Sequence, residues 1–238
     1  MPRIAPLITF LALFAFFFDP SCNAADDPFR RNNAAALKIG AQMYRSSDFT
    51  DFWDIRSDNL VGPVFEFEYD RRITGLVFVD LTLGYARADA NSDPSLLANT
   101  STDVKVSNIY LSPTLKIQAP LNDSVSVYGG IGPDIYYTDS DIDISIGTAS
   151  ATVSDAFWSF GGHTLVGLEW LFYKEPARDN RLDAPLGLIF EYKFAIVPIN
   201  DFDQKAIDTA NNALGTSYSA NDFDAGGHFL MVGLRWHF

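Results

Sequence analysis

The chain has 238 residues, a formal net charge of −13 and only 20% charged residues. It is too apolar for a disordered tail and too acidic to seek nucleic-acid phosphates, which argues against a nucleic-acid binder. One cysteine and three histidines exclude a thiolate zinc site or a disulfide framework.

At the N-terminus, Arg3 supplies a positive charge and Leu7 to Phe18 is apolar apart from Thr9. Cys22-Asn23-Ala24 then offers a small-residue cleavage site before Ala25. Residues 1–24 therefore read as a cleaved secretory signal peptide, its apolar core too short to span a bilayer, and residues 25–238 as the mature domain. A lipoprotein anchored through Cys22 is the rival reading, but Asp19 stands where that processing prefers an apolar residue. No later stretch is long and apolar enough for a transmembrane helix. Two options remain: a soluble exported protein, or a barrel that crosses a membrane as strands.

The mature chain alternates with period two. Leu37, Ile39, Ala41 and Met43 oppose Lys38, Gly40 and Gln42. Val61, Pro63, Phe65, Phe67 and Tyr69 oppose Gly62, Val64, Glu66 and Glu68, and Val77, Val79, Leu81, Leu83 and Tyr85 oppose Phe78, Asp80, Thr82 and Gly84. A fourth segment sets Ile109, Leu111, Pro113, Leu115 and Ile117 against Tyr110, Ser112, Thr114, Lys116 and Gln118. The fifth sets Val125, Val127, Ile131, Ile135 and Tyr137 against Ser126, Tyr128, Gly130, Gly132 and Asp134. Next, Trp158, Phe160, Val166, Leu168 and Trp170 oppose Gly161, His163, Gly167 and Glu169. Leu186 to Ile196 alternates around Gly187, Glu191 and Lys193, and Leu230, Val232, Leu234, Trp236 and Phe238 oppose Gly233, Arg235 and His237. About eight strands of this length predict an all-β fold: a single antiparallel up-and-down transmembrane β-barrel. Pro63, Pro113 and Pro133 fall inside strand patterns, where each removes a ladder hydrogen bond, and are expected to mark bulges.

Links after the second, fourth and sixth segments (70–75, 120–123, 173–184) are shorter than those after the others (46–59, 87–103, 138–154, 197–224). Short periplasmic turns on one rim and long extracellular loops on the other is the outer-membrane pattern. A soluble sandwich or lipocalin-like barrel has no reason to sort its loops this way. The long links hold most of the remaining acid: Asp48, Asp51, Asp54, Asp58, Asp89, Asp93, Asp103, Asp139, Asp141, Asp143, Asp201, Asp203, Asp208, Asp222 and Asp224. These residues read as solvated loops or as ligands for divalent cations shared with lipopolysaccharide phosphates. Asp139-Ser140-Asp141-Ile142-Asp143 lacks the glycine and terminal glutamate of a calcium loop, so no metal ligands are assigned.

With the apolar face toward lipid, the other face lines the lumen. It carries Glu66, Glu68, Asp80, Glu169 and Glu191 against Lys38, Lys116, Lys193 and Arg235. An eight-stranded barrel is narrow enough for side chains to fill it, so these charges form either a gate in a narrow pore or a static salt-bridge plug. Val166-Gly167-Leu168-Glu169-Trp170 and Val232-Gly233-Leu234-Arg235-Trp236 place Glu169 and Arg235 at matching depth, which suggests a pair.

The C-terminal LMVGLRWHF, the Tyr128-Gly129-Gly130-Ile131-Gly132 segment and the signal peptide together resemble the OmpW/OmpA-type family of small, porin-like outer-membrane barrels. The resemblance implies location in the outer membrane of a Gram-negative-type envelope, among outer-membrane lipid and lipopolysaccharide. It also implies a C-terminal strand, with Trp236 and Phe238, that is read by the barrel-assembly machinery. The function implied is a non-enzymatic conduit for small or hydrophobic solutes, without a cofactor; the alternative is a closed structural or adhesive barrel whose acidic loops meet surface partners. A lipid A-modifying enzyme is the third reading. It would need a His and a Ser two residues apart near the cell surface, and His163, His228 and His237 do not make that pair, so no catalytic residues are assigned.

Overall fold

The computed structural model describes residues 29, 31–45, 60–92, 100–146, 149–173, 185–199, 208, 212 and 223–238. The expected signal peptide lies outside them. The strands are β1 (Asn33–Met43), β2 (Val61–Thr74), β3 (Val77–Ser92), β4 (Thr100–Pro120), β5 (Val125–Ile146), β6 (Ala149–Tyr173), β7 (Leu186–Ile196), β8 (Pro198–Ile199), β9 (Phe223–Asp224) and β10 (Gly227–His237). All but β8 and β9 close into one eight-stranded barrel in which neighbours run antiparallel and β1 pairs with β10. The small β8–β9 ribbon is a separate two-stranded sheet between β7 and β10.

Closure follows from the backbone's need for partners. In lipid an unpaired sheet edge has no water to bond, so the first and last strands must meet. Here Asn33 N–H donates to the Phe238 carbonyl at 3.2 Å and Phe238 N–H returns to the Asn33 carbonyl at 2.9 Å, extending the β1–β10 ladder to the terminal residue. Gly75, at φ +48°, makes the tight β2–β3 turn, and the Asn122 side-chain oxygen accepts the Ser124 and Val125 N–H groups in the β4–β5 turn.

Period two decides the two faces. In β7, Gly187, Ile189, Glu191, Lys193 and Ala195 are buried, while Phe190, Tyr192 and Ile196 stand outside. Around the barrel Leu37, Phe65, Ile117, Phe160 and Leu230 are each more than half exposed. A soluble fold would bury such residues, and an apolar belt this continuous is a surface for lipid. On β6, Trp158 and Trp170 are exposed at opposite ends of the belt. Their separation along the strand is roughly 40 Å, or roughly 28 Å across a membrane at a 45° tilt, close to the height of an outer-membrane apolar band.

Two expectations are corrected. The first concerns 87–103 and 138–154, expected as long loops: β3 runs to Ser92, β4 starts at Thr100, β5 runs to Ile146 and β6 starts at Ala149. Aspartate is disfavoured in strands, but these acids find cross-strand partners. Thr152 donates to Asp143 at 2.6 Å and Ser154 to Asp141 at 2.5 Å, each from the residue directly opposite. Lys105 lies 3.3 Å from Asp103 and 3.5 Å from Asp143. Asp48, Asp51, Asp54, Asp58, Asp93, Asp201, Asp203 and Asp222 lie outside the described residues.

The second concerns the prolines. The β-ladder shifts register at Arg72/Thr74 and Leu171/Tyr173, not at any proline. The β4–β5 pairs Leu111↔Ile135 and Leu115↔Ile131 share one register and leave a gap between them. In that register Pro113 and Pro133 stand opposite each other, so two missing donors share one gap. Concentrating both defects in one place preserves the alternation on either side.

Closure predicts resistance to unzipping. The unboiled protein is expected to migrate differently from the boiled protein on a detergent gel, and deletion of Phe238, which removes both terminal bonds to Asn33, to lower the folded fraction. Identical mobility before and after boiling would contradict the closed barrel.

Candidate functional site in the barrel lumen

The inward residues of β1, β2, β3, β4, β6, β7 and β10 bring the nine predicted lumen charges into one buried network. Lys38 on β1 lies 2.7 Å from Glu191 and 2.9 Å from Glu68, and 2.6 Å from Glu66 as an ion contact without hydrogen-bond geometry. Lys193 lies 2.5 Å from Glu66. Lys116 contacts Glu68 at 3.0 Å and Asp80 at 3.4 Å, and also Asp70. Arg235 contacts Glu169 at 3.2 Å, Asp70 at 3.4 Å and also Glu68, so the Glu169–Arg235 pair expected from matched depth is in contact.

The network contains members absent from the sequence reading. Asp70 opens the predicted 70–75 link, but it continues the even-numbered inward series Glu66, Glu68 of β2 and is 1% exposed. Its oxygens lie against Lys116 and Arg235 and beside the Glu68 carboxylate. His237 Nε2 meets Glu169 at 2.5 Å, Gln118 donates to the same carboxylate at 2.8 Å, and Thr82 donates to Asp80 at 3.0 Å. Glu68, Asp70 and Asp80 have ligand oxygens within 4.8 Å of one another, as a metal site would need, but Lys116 and Arg235 already occupy the space between them.

Above this lower tier lies an aromatic floor. Tyr110 donates to Glu66 at 2.6 Å and Tyr128 to Glu191 at 3.0 Å, while Lys193 sits 4.4 Å from the Tyr110 ring and Arg235 4.9 Å from the Tyr128 ring. Each tyrosine lies across from a glycine. A Cβ on Gly84 would fall 2.1 Å from the Tyr110 ring, and one on Gly167 2.2 Å from that of Tyr128. Only a residue without a side chain leaves room for these rings.

Beside the floor, three strands assemble a hydroxyl–imidazole–carboxylate array. Thr114 Oγ1 lies 3.0 Å from His163 Nε2, His163 Nδ1 lies 2.9 Å from Asp134 Oδ1, and Ser112 donates to the same oxygen. All four residues are buried. Of the other histidines, His228 faces outward and lies 2.7 Å from the Tyr192 hydroxyl.

The upper tier is built around an apolar cluster, with polar side chains of β4, β5 and β6 along one wall. Val64, Ala86, Ala88, Val104, Val106 and Met231 belong to one buried cluster that extends to Ile199 and Phe223 of the β8–β9 ribbon and to Ala225 just after it. Phe223 stacks on Tyr44 at 5.7 Å, and Gln42 donates to the Ala225 and Gly226 carbonyls at 2.9 and 2.7 Å. The ribbon thus covers the end of the lumen opposite the short turns, where an exposed Arg45–Asp224 pair at 3.1 Å ties it to β1.

A closed eight-stranded barrel with an outer apolar belt and a filled lumen is the architecture of a small outer-membrane protein. The sequence matches the outer membrane protein beta-barrel domain family over residues 9–175, and the chain belongs to that family. No curated protein matches it. Among solved structures, the outer membrane protein OprG from Pseudomonas aeruginosa is similar at 12% identity and TM-score 0.50, covering 87% of this chain and 96% of that one. Neisserial surface protein A is similar at 14% identity and TM-score 0.42, covering 87% and 96%. The attachment invasion locus protein Ail of Yersinia pestis is similar at 14% identity and TM-score 0.39, covering 87% and 99%. The protein is an outer-membrane β-barrel.

Removing one partner of a buried ion pair leaves the others uncompensated. Arg235→Ala is expected to lower stability by about 3–5 kcal/mol in urea unfolding. Gly84→Ala, which forces a methyl into the Tyr110 ring, is expected to cost about 1–3 kcal/mol. Wild-type stability in both variants would contradict the packing described.

Proposed function

We propose that this barrel admits small apolar solutes from the outer face into its upper lumen and is not an open aqueous pore. The observation that carries this reading is the division of the lumen: paired charges fill the lower tier, while the upper tier is built around an apolar cluster that, among the described residues, is covered by the short β8–β9 ribbon. Wide aqueous channels belong to larger barrels, and an apolar chamber offers a solute what water does not. The alternative is a closed structural or adhesive barrel acting through its acidic outer face, favoured by the complete burial of the upper tier. We read the protein as non-enzymatic, because its histidines do not make the His–Ser pair that a lipid A-modifying barrel would need. Residues 1–24 act as the signal peptide, and the strand ending in Trp236 and Phe238 as the signal for barrel assembly.

Two measurements test this. In planar bilayers the wild-type barrel is expected to show ion conductance near zero, rising in Arg235→Ala if the plug is a gate. Equal conductance with lost stability would make the plug purely structural. In lipid nanodiscs, toluene is expected to shift the methyl NMR signals of Val64, Val104 and Met231. Shifts confined to lipid-facing methyls such as those of Leu37 and Leu230 would favour the closed structural barrel.

A further inference from the structure

One wall of the upper lumen is not apolar. On β4, β5 and β6 five buried polar atoms have no hydrogen-bond partner: Asn108 Oδ1, Thr138 Oγ1, Tyr136 OH, Ser159 Oγ and Asp134 Oδ2. None of these residues is more than 5% exposed. They are contiguous. Asn108 lies directly across from Thr138, Tyr136 lies directly across from Ser159, and Asp134 is the next inward residue along β5. Elsewhere on the same residues the bonding is complete: Asn108 Nδ2 donates to Tyr44 OH at 2.8 Å and to the Ala225 carbonyl at 3.3 Å, and Asp134 Oδ1 takes Ser112 and His163.

Native folds leave few buried polar atoms unpaired, because each loses its hydration without compensation. Five on one wall mark a surface shaped for a partner. The carboxylate and amide oxygens can only accept, and the three hydroxyls can accept as well as donate, so the wall favours a group that donates. Across from it stand Val64, Phe229 and Met231, and above it Phe223 of the ribbon. Phe223 supplies an aromatic ring but no donor.

We propose that the upper lumen is a binding site for a small amphipathic molecule with an apolar body and a hydrogen-bond-donating head, an alcohol or an amine, which replaces Phe223 against the β4–β6 wall. The proposal rests on the solute-uptake reading and narrows its substrate class. The body takes the place of the Phe223 ring on Tyr44, and the head reaches the Asn108, Tyr136 and Ser159 oxygens below. The β8–β9 ribbon must lift for this to happen. Among the described residues its polar fastenings include the Gln42 and Asn108 amides, the Val197 N–H on Asp224 and the exposed Arg45–Asp224 pair.

The test uses the full barrel in lipid nanodiscs and three probes with one body and different heads: toluene, benzyl alcohol and benzylamine. Affinities are read from the methyl NMR shifts of Val64 and Met231. Wild type is expected to bind benzyl alcohol or benzylamine about tenfold more tightly than toluene, the gain from one or two added hydrogen bonds. The alcohol and amine arms separate a neutral head from a charged one. In Tyr136→Phe/Thr138→Val/Ser159→Ala the preference should fall to within about twofold, with urea stability unchanged or raised, because only unpartnered hydroxyls are removed. Ser159→Ala alone serves if the triple variant does not fold, and Phe223→Ala should tighten binding of the preferred probe. Equal affinity for all three probes in wild type, a preference that survives the triple variant, or a loss of stability in Ser159→Ala would each overturn the proposal. Binding of toluene without preference overturns this inference alone. Binding of no probe overturns the solute-uptake reading with it.

Discussion

Every backbone N–H and C=O that enters a bilayer must find its partner within the protein. For a strand protein the only complete solution is a closed cylinder, and the pairing of β1 with β10 provides it. Closure then imposes a second condition. With eight strands, half of all residues point into a space that side chains alone must fill, and that space is too narrow to keep bulk water around charges. The lumen therefore has to neutralise whatever charge the sequence places there.

The lower tier meets this condition by interleaving. Three of the four cations, Lys38, Lys116 and Arg235, each contact three carboxylates, and Glu68 is shared among all three, while Lys193 holds Glu66. Such a lattice ties β1, β2, β3, β4, β6, β7 and β10 across the barrel as well as along its wall. Both tyrosines bond carboxylates through their hydroxyls; the Tyr110 ring joins the apolar cluster above, while the Tyr128 ring lies against Lys116 and Arg235. Their seats on Gly84 and Gly167 make the floor depend on two residues without side chains. A charged tier beneath a largely apolar one gives the lumen a direction, with the ion network toward the short turns and the β8–β9 ribbon at the other end.

Much of this was legible in the sequence, for a simple reason. Alternation places Lys38, Glu66, Glu68, Asp80, Lys116, Glu169, Glu191, Lys193 and Arg235 on one face of their strands, and the same count gives Leu37, Phe65 and Leu230 to the other. Legibility ended where local composition competed with periodicity. Asp70 sits beside the Arg71-Arg72 pair, in a segment that looks like a turn. The stretch around Asp139, Asp141 and Asp143 alternates as a strand should, but its acids suggested solvent. Strand propensity was overridden there by hydroxyl partners on β6 that no local window contains.

Strand number, the lipid-facing side, the inward charges and the class of membrane protein follow from the sequence by itself, because period two is a property of neighbours along one chain. Beyond the Glu169–Arg235 pair, tertiary structure decided which charges meet, since Lys38 and Glu191 or Arg235 and Glu68 are brought together only when the sheet closes. It also decided that Pro113 and Pro133 share one gap, that Thr114, His163 and Asp134 form an array, and that Phe223 caps the lumen. Each of these depends on the register between strands distant in sequence. That register is set by the whole closed ladder and by no segment within it.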